Sequence, residues 1–380
     1  MQFGHFLNIV FMNRKKILAL ILLLDVCIMA VIFSVSGFYN KNVDAEDYVL
    51  QIERYVDSTM PTSERLERRE FKPLYAVLGG SLVQVSNINA ETAILVLNTL
   101  FFIGLSVSFL FFLILLGFGE RAALIGTLWL IFGYPLLKYG LSIGTDISGW
   151  FFATFSAAIG LYGLKKGTFI PLVGASVFGF IGFLSKETGI LGLGLVGFTA
   201  LFYFRRVPFS FFLKLVLSIS LPFLILETLF LWSLISKGSQ TFFDWYKTNA
   251  EGIHSYQTIP YFIGIEGATF HILTLFAVLG LLFALRTKEI LKIDWLSRYA
   301  PAFIISIPML FWPIYITRIM YVQFLFMIPL ALYGMERSVQ GMTESNRNIL
   351  LGIYTIIPII ISLSLFLLGH DQSLFNLFSI

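Results

Sequence analysis

The longest polar stretch of this apolar chain runs from Gly37 to Gly80. It opens with Asp44, Glu46 and Asp47 and closes with Arg65, Arg68, Arg69 and Lys72. A carboxylate placed at a membrane surface can take the proton of an incoming nucleophile, and Asp44 is the candidate for that work. Asp44 equally suits a helix N-cap, since Asp44-Ala45-Glu46-Asp47 has the spacing of a capping box. The two roles are compatible, because a cap also fixes its own side chain. Asp146, in Gly144-Thr145-Asp146-Ile147-Ser148, opens a later apolar segment and has the same two readings.

Lys186 and Glu187 stand in a turn between two apolar stretches, where ionised groups cost several kcal/mol unless paired or wet. They either pair with each other or serve a ligand. Arg318 lies in a tight turn between apolar segments. A guanidinium there suits a phosphate at headgroup depth, whether the ligand's or a lipid's.

Other chemistries find no support. Cys27 is the only cysteine and sits in an apolar run, so no disulfide or cysteine metal cluster is expected. His254 and His271 are not in H-x-x-H or H-E-x-x-H spacing. No G-x-x-x-x-G-K-[ST] loop exists to hold a nucleoside triphosphate.

The elements that must position these residues are membrane helices. Hydrophobic residues form 57% of the chain and charged ones 13%, against about a quarter charged in soluble domains. The fold class expected is all-α, a polytopic transmembrane helical bundle, with residues 1–380 as one integral membrane domain. Taking roughly 20 apolar residues per span gives about eleven spans. They lie near 17–36, 92–117, 121–138, 147–164, 169–185, 188–204, 211–235, 262–285, 299–316, 319–335 and 348–368. The first is expected to be retained rather than removed as a signal.

Basic residues set the orientation. With Arg14, Lys15 and Lys16 in the cytoplasm, Lys165, Lys166, Arg205, Arg206, Arg286 and Arg337 also fall inside. The net charge of +4 then reflects cytoplasmic loops, with no nucleic-acid partner. Asp44, Asp146, Lys186, Glu187 and Arg318 all fall outside, and a shared outer cavity would account for them together. The loop 37–91 is expected to carry interfacial helices. Tyr48, Ile52, Tyr55 and Val56 recur at helical spacing for a helix lying on the bilayer, broken at Pro61, and 73–86 is too short to span. The second outer loop, 236–261, is rich in aromatics, as an interfacial segment should be. Asp25 and Glu227 lie within apolar runs and are expected to face other helices.

In this order the residues resemble the GT-C class of membrane glycosyltransferases, which includes protein O-mannosyltransferases and the aminoarabinose transferase of lipid A. The resemblance rests on an acidic residue after the first span with a tyrosine four later (Asp44, Tyr48), and on Lys72-Pro73-Leu74-Tyr75. It rests further on Thr145-Asp146 opening a later span, on Ser185-Lys186-Glu187, and on Arg318 followed by a helix with Pro329. It covers residues 1 to about 335. The class often opens its loop with two adjacent acids, whereas Glu46 and Asp47 here are offset from Asp44, which leaves the base as either Asp44 or Asp47.

The resemblance implies inverting transfer of a sugar from a polyprenyl-phosphate carrier to a glycan, lipid or protein acceptor at the outer face. Asp44 or Asp47 would be catalytic. Lys72, Asp146, Lys186, Glu187, Arg318 and Tyr48 would bind substrate and phosphate, and an apolar groove among membrane lipids would hold the prenyl chain. A divalent ion, magnesium or manganese, shared by Asp44 and the phosphate is compatible with it. The expected location is a prokaryotic cell (inner) membrane, with the site facing the periplasm or exterior. A flippase of lipid-linked sugars is the first rival and needs a polar path through the midplane, where only Asp25 and Glu227 stand. A non-catalytic subunit of the same fold is the second.

Overall fold

Apolar residues in runs too long for a soluble core leave the backbone only one way to satisfy its polar groups, which is the helix. The computed structural model describes residues 3–37, 40–41, 44–60, 69–202, 204, 207–250, 267, 269–307 and 320–368, and within these the chain is helical. The one extended pairing among them is an isolated parallel bridge between Lys41 and Ile143.

The helices in order are α1 (Phe3–Ser36), α2 (Ala45–Val56), α3 (Leu74–Ser86), α4 (Ala90–Leu116), α5 (Glu120–Ile131), α6 (Tyr134–Tyr139), α7 (Asp146–Lys166) and α8 (Phe169–Phe183). After a 3-10 turn at Glu187–Ile190 come α9 (Leu191–Leu201), α10 (Phe209–Ser236), α11 (Phe242–Ala250), α12 (Ile272–Arg286), α13 (Ile293–Ser306), α14 (Phe324–Ser338) and α15 (Glu344–Leu368). Among the described residues α1, α4, α7, α10 and α15 are long and apolar enough to cross a bilayer. This is an integral membrane protein by that measure.

The expected spans correspond to helices with some changes. The segment 121–138 is broken between α5 and α6, where Gly133 and Pro135 stand. The segment 169–204, which the sequence reads either as two spans or as one hairpin of short helices bent at Ser185-Lys186-Glu187, is two short helices joined by the 3-10 turn. The residues 308–319 of the expected spans at 299–316 and 319–335 lie outside the described residues, as does Pro61.

α7 is the hub. It packs on α4, α8 and α9 and is buried along most of its length, Trp150 and Ala153 included. α10 is the reverse: it packs on α8 along one narrow stripe and is otherwise an apolar cylinder, as a lipid-facing helix must be. Its internal Pro222 interrupts the helix ladder, and the backbone N–H of Phe223 donates to Ser176 Oγ on α8 at 2.9 Å.

α7 and α9 touch backbone to backbone at Gly192, where any β-carbon would overlap the Ala153 carbonyl oxygen. Gly192→Ala should therefore cost at least the upper part of the 1–3 kcal/mol typical of overpacking. The check is thermal unfolding in detergent against Gly197→Ala on the same helix, where a β-carbon meets nothing within 4 Å. The Gly197 variant should melt at or above the parent temperature, since alanine favours helix over glycine.

α2 departs from expectation. Its apolar face does not lie on the bilayer: Tyr48 and Ile52 are buried against α3 and α4. Ile52 sits where a side chain at Gly79 would otherwise be, its Cδ1 2.5 Å from that β-carbon position. Tyr55 and Val56 stay exposed. The helical period was legible, but the surface it meets is protein.

Candidate functional site

Three chain segments meet at one end of the bundle: α2 with residues 69–75, the start of α7, and the turn after α8. The 69–75 segment follows residues 61–68, which lie outside the described set. Arg69 reaches back to α2 and donates from its guanidinium to Asp44 at 2.8 Å and to Asp47 at 3.1 Å. The guanidinium also lies 5.6 Å from the centroid of the Tyr48 ring. Gln51 donates to the Arg69 carbonyl at 2.7 Å and fixes the backbone of the same residue. Burial opposes the Arg69 charge, but the carboxylates of Asp44 and Asp47 outweigh it and raise its pKa above the ordinary range.

This overturns the capping box. Asp44 occupies the N-cap position of α2 yet makes no cap hydrogen bond with its side chain. Its carboxylate turns to Arg69 instead, because a charged, bidentate-capable donor outcompetes a backbone N–H.

Lys72 and Glu187 form a buried ion pair at 2.7 Å, with their side chains 1% and 5% exposed. Lys186 reaches Asp146 at 3.1 Å. Lys186 and Glu187 therefore do not pair with each other; neighbours in an extended turn point apart, and each finds a partner on another segment. Asp146 is not a cap either. Thr145 holds that position, and Asp146 is the first residue of α7, where the helix dipole favours a carboxylate. Gly149 brings the turn close: a β-carbon there would sit 2.5 Å from Thr188 Oγ1 and 2.8 Å from Lys186 Cβ. The Ser148 and Ser185 hydroxyls meet at the same crossing.

The electrostatics are those of a crowded, dry cluster. Burial pushes the Glu187 carboxyl up, but Lys72 and Lys186 outweigh it and hold it at about 2. Burial lowers Lys72 to about 8, against the pull of Glu187. Both are ionised at neutral pH. Burial also raises the Tyr48 phenol, which feels the charges of Arg69, Lys186, Asp44 and Glu187, so the two halves of the cluster are electrically one.

Several polar atoms here are buried with no hydrogen-bond partner: Tyr48 Oη, Gln51 Oε1, Thr145 Oγ1, Glu187 Oε2 and Thr188 Oγ1. Buried polar groups are seldom left unpaired in a native fold, which singles these residues out.

The sequence reading missed Asn98. It lies inside α4, accepts from the Tyr75 hydroxyl at 2.6 Å, and donates to the carbonyls of Ser142 and Gly144 at 2.7 and 3.0 Å. It ties the turn before Asp146 to the 72–75 segment. A fully buried amide in an apolar helix was the available signal. Arg69, passed over among the loop arginines, is the other omission.

Of the remaining candidates, Arg318 and His254 lie outside the described residues. Tyr321 packs edge-on to Trp150, one turn into α7 from Asp146, at 5.0 Å between rings. Asp25 is buried in α1 and accepts from the Ser106 hydroxyl at 2.9 Å. His271 Nε2 lies 2.7 Å from Ser362 Oγ, between the start of α12 and α15. Neither belongs to the cluster.

Among the described residues no three His, Cys, Asp or Glu side chains converge as a metal-holding group. Asp44 and Asp47 are bridged by Arg69.

No protein-family model matches the chain, and no curated protein matches it. Among solved structures the chain is similar to the crystal structure of the Archaeoglobus fulgidus oligosaccharyltransferase tethered by a disulfide bond to an acceptor peptide containing the NVT sequon. The TM-score is 0.56 and the identity 12%, over 96% of this chain and 55% of that one. The chain thus spans about half the length of that enzyme. At this identity the likeness is one of fold alone.

Proposed function

We propose that the protein is a glycosyltransferase that moves a sugar from a polyprenyl-phosphate carrier to an acceptor hydroxyl at the outer face of a cell membrane. The observation that carries this reading is the meeting of Asp44, Asp47 and Arg69 with the Lys72–Glu187 and Lys186–Asp146 pairs at one end of the bundle. The similarity of fold to an oligosaccharyltransferase supports it.

The reaction is a single displacement with inversion. The acceptor oxygen bonds to the anomeric carbon as the bond from that carbon to the phosphate oxygen breaks. Asp44 or Asp47, held in one orientation by Arg69, positions the hydroxyl and accepts its proton. Charge grows on the departing lipid phosphate. Lys72 and Lys186, with Arg318 as a further candidate, supply fixed positive charge where it develops. Because both lysines already hold carboxylates, the phosphate gains from the cluster only by drawing a lysine partly away from Glu187 or Asp146.

The test is mass spectrometry of membrane glycolipids and surface glycans from cells with and without the gene, followed by complementation. Asp44→Asn and Asp47→Asn should each insert normally. The variant lacking the proton acceptor should lose about 100- to 10,000-fold in transfer, and the other considerably less. Wild-type transfer by both variants would remove α2 from the chemistry. Movement of an unaltered glycolipid across proteoliposomes would favour a flippase.

A further inference from the structure

A cavity lies back to back with the ionic cluster. Its volume is about 510 Å³, and it is walled by α2, residues 70–76 and the last turns of α10. The stretch 69–73 is the partition. Arg69 and Lys72 point from it toward Asp44 and Glu187, whereas Glu70 and Pro73 line the cavity. A ligand in the cavity therefore does not touch the cations proposed to hold the donor phosphate.

The lining is amphipathic. Arg54 and Lys237 supply positive charge, and Ser233 and Ser239 supply hydrogen-bonding groups beside apolar surface. Among the described residues of the lining the carboxylate is Glu70, which reaches Arg54 only at 3.9 Å and compensates its charge weakly. The mouth opens beside the lipid-facing flank of α10, where Trp232 is 76% exposed and Leu229 and Ile235 flank it. An exposed tryptophan at a helix end marks headgroup depth.

We propose that this cavity binds the headgroup of an anionic membrane lipid, with its acyl chains lying along the exposed flank of α10. The phosphate sits between Arg54 and Lys237, and the headgroup hydroxyls meet Ser233 and Ser239. The volume lies within the range of small-ligand sites. This assignment needs only that the chain is in a membrane, and it stands or falls independently of glycosyl transfer.

The experiment uses the full chain in nanodiscs of phosphatidylcholine doped with phosphatidylglycerol, with native mass spectrometry counting the lipids that stay bound. The wild type should retain phosphatidylglycerol in preference to phosphatidylcholine. Arg54→Ala/Lys237→Ala should cut that retention by about tenfold, the loss expected from charge-assisted contacts. Ser233→Phe, which fills the cavity and keeps both charges, should cut it as well. Arg121→Ala/Arg347→Ala, at the opposite end of the bundle, should leave it unchanged. Inorganic phosphate should not displace the lipid. Equal retention by the Arg54/Lys237 double variant, equal retention of phosphatidylcholine by the wild type, or displacement by free phosphate would each overturn the proposal.

Discussion

Lys72→Met should destabilise the protein by about 3–5 kcal/mol, the usual consequence of removing one partner of a buried ion pair. Glu187 would be left buried, with a carboxylate that no longer faces its closest cation. Lys72→Met/Glu187→Leu should recover most of that stability, because an apolar pair of similar volume often replaces a buried ion pair at little cost. It should not recover affinity for a polyprenyl-phosphate sugar, since the positive charge is gone. Thermal unfolding in detergent gives the first quantity and donor binding the second. A double variant that regained both would show the pair to be structural only.

The same pair predicts a fall in donor affinity on the alkaline side. Burial lowers Lys72 to about 8, so the cation is lost as pH rises through that value and donor affinity should fall with it. Glu187, depressed from 4.5 to about 2, contributes stability that is fully present above 4.5 and is lost as pH falls toward 2. Lys72→Arg should move the alkaline fall in donor affinity out of range, since guanidinium does not deprotonate. An alkaline limb unchanged in that variant would mean that another group causes it.

What the sequence made legible follows from how costly charge is in lipid. Asp44, Asp47, Lys72, Asp146, Lys186 and Glu187 stand out because an apolar chain keeps ionised groups only where they are paired or wet. That argument finds the residues and says nothing of who pairs with whom. Lys72 meets Glu187 across more than a hundred residues of chain, where the Leu74 N–H donates to the Leu184 carbonyl at 3.2 Å and lays the two segments side by side. The periodicity of α2 was equally plain, yet period alone does not distinguish a face buried in lipid from one buried against α3. Asn98 was hidden for a different reason. One amide in a long apolar helix alters the hydropathy little, and its work of holding the carbonyls of Ser142 and Gly144 exists only after folding.

Arg69 ties the catalytic proposal to a measurable rate. In the wild type its guanidinium bridges Asp44 and Asp47. Arg69→Gln takes that bridge away, so transfer should drop by roughly 100-fold, because the acceptor hydroxyl loses its oriented partner. Arg69→Lys should recover little of the rate, since an ammonium is a point charge and cannot fork between two carboxylates as a guanidinium does. Thermal unfolding in detergent and donor binding separate this from a loss of folding: both should stay near the wild type in Arg69→Lys while transfer stays slow. Transfer at the wild-type rate by Arg69→Gln would mean that neither aspartate acts through Arg69.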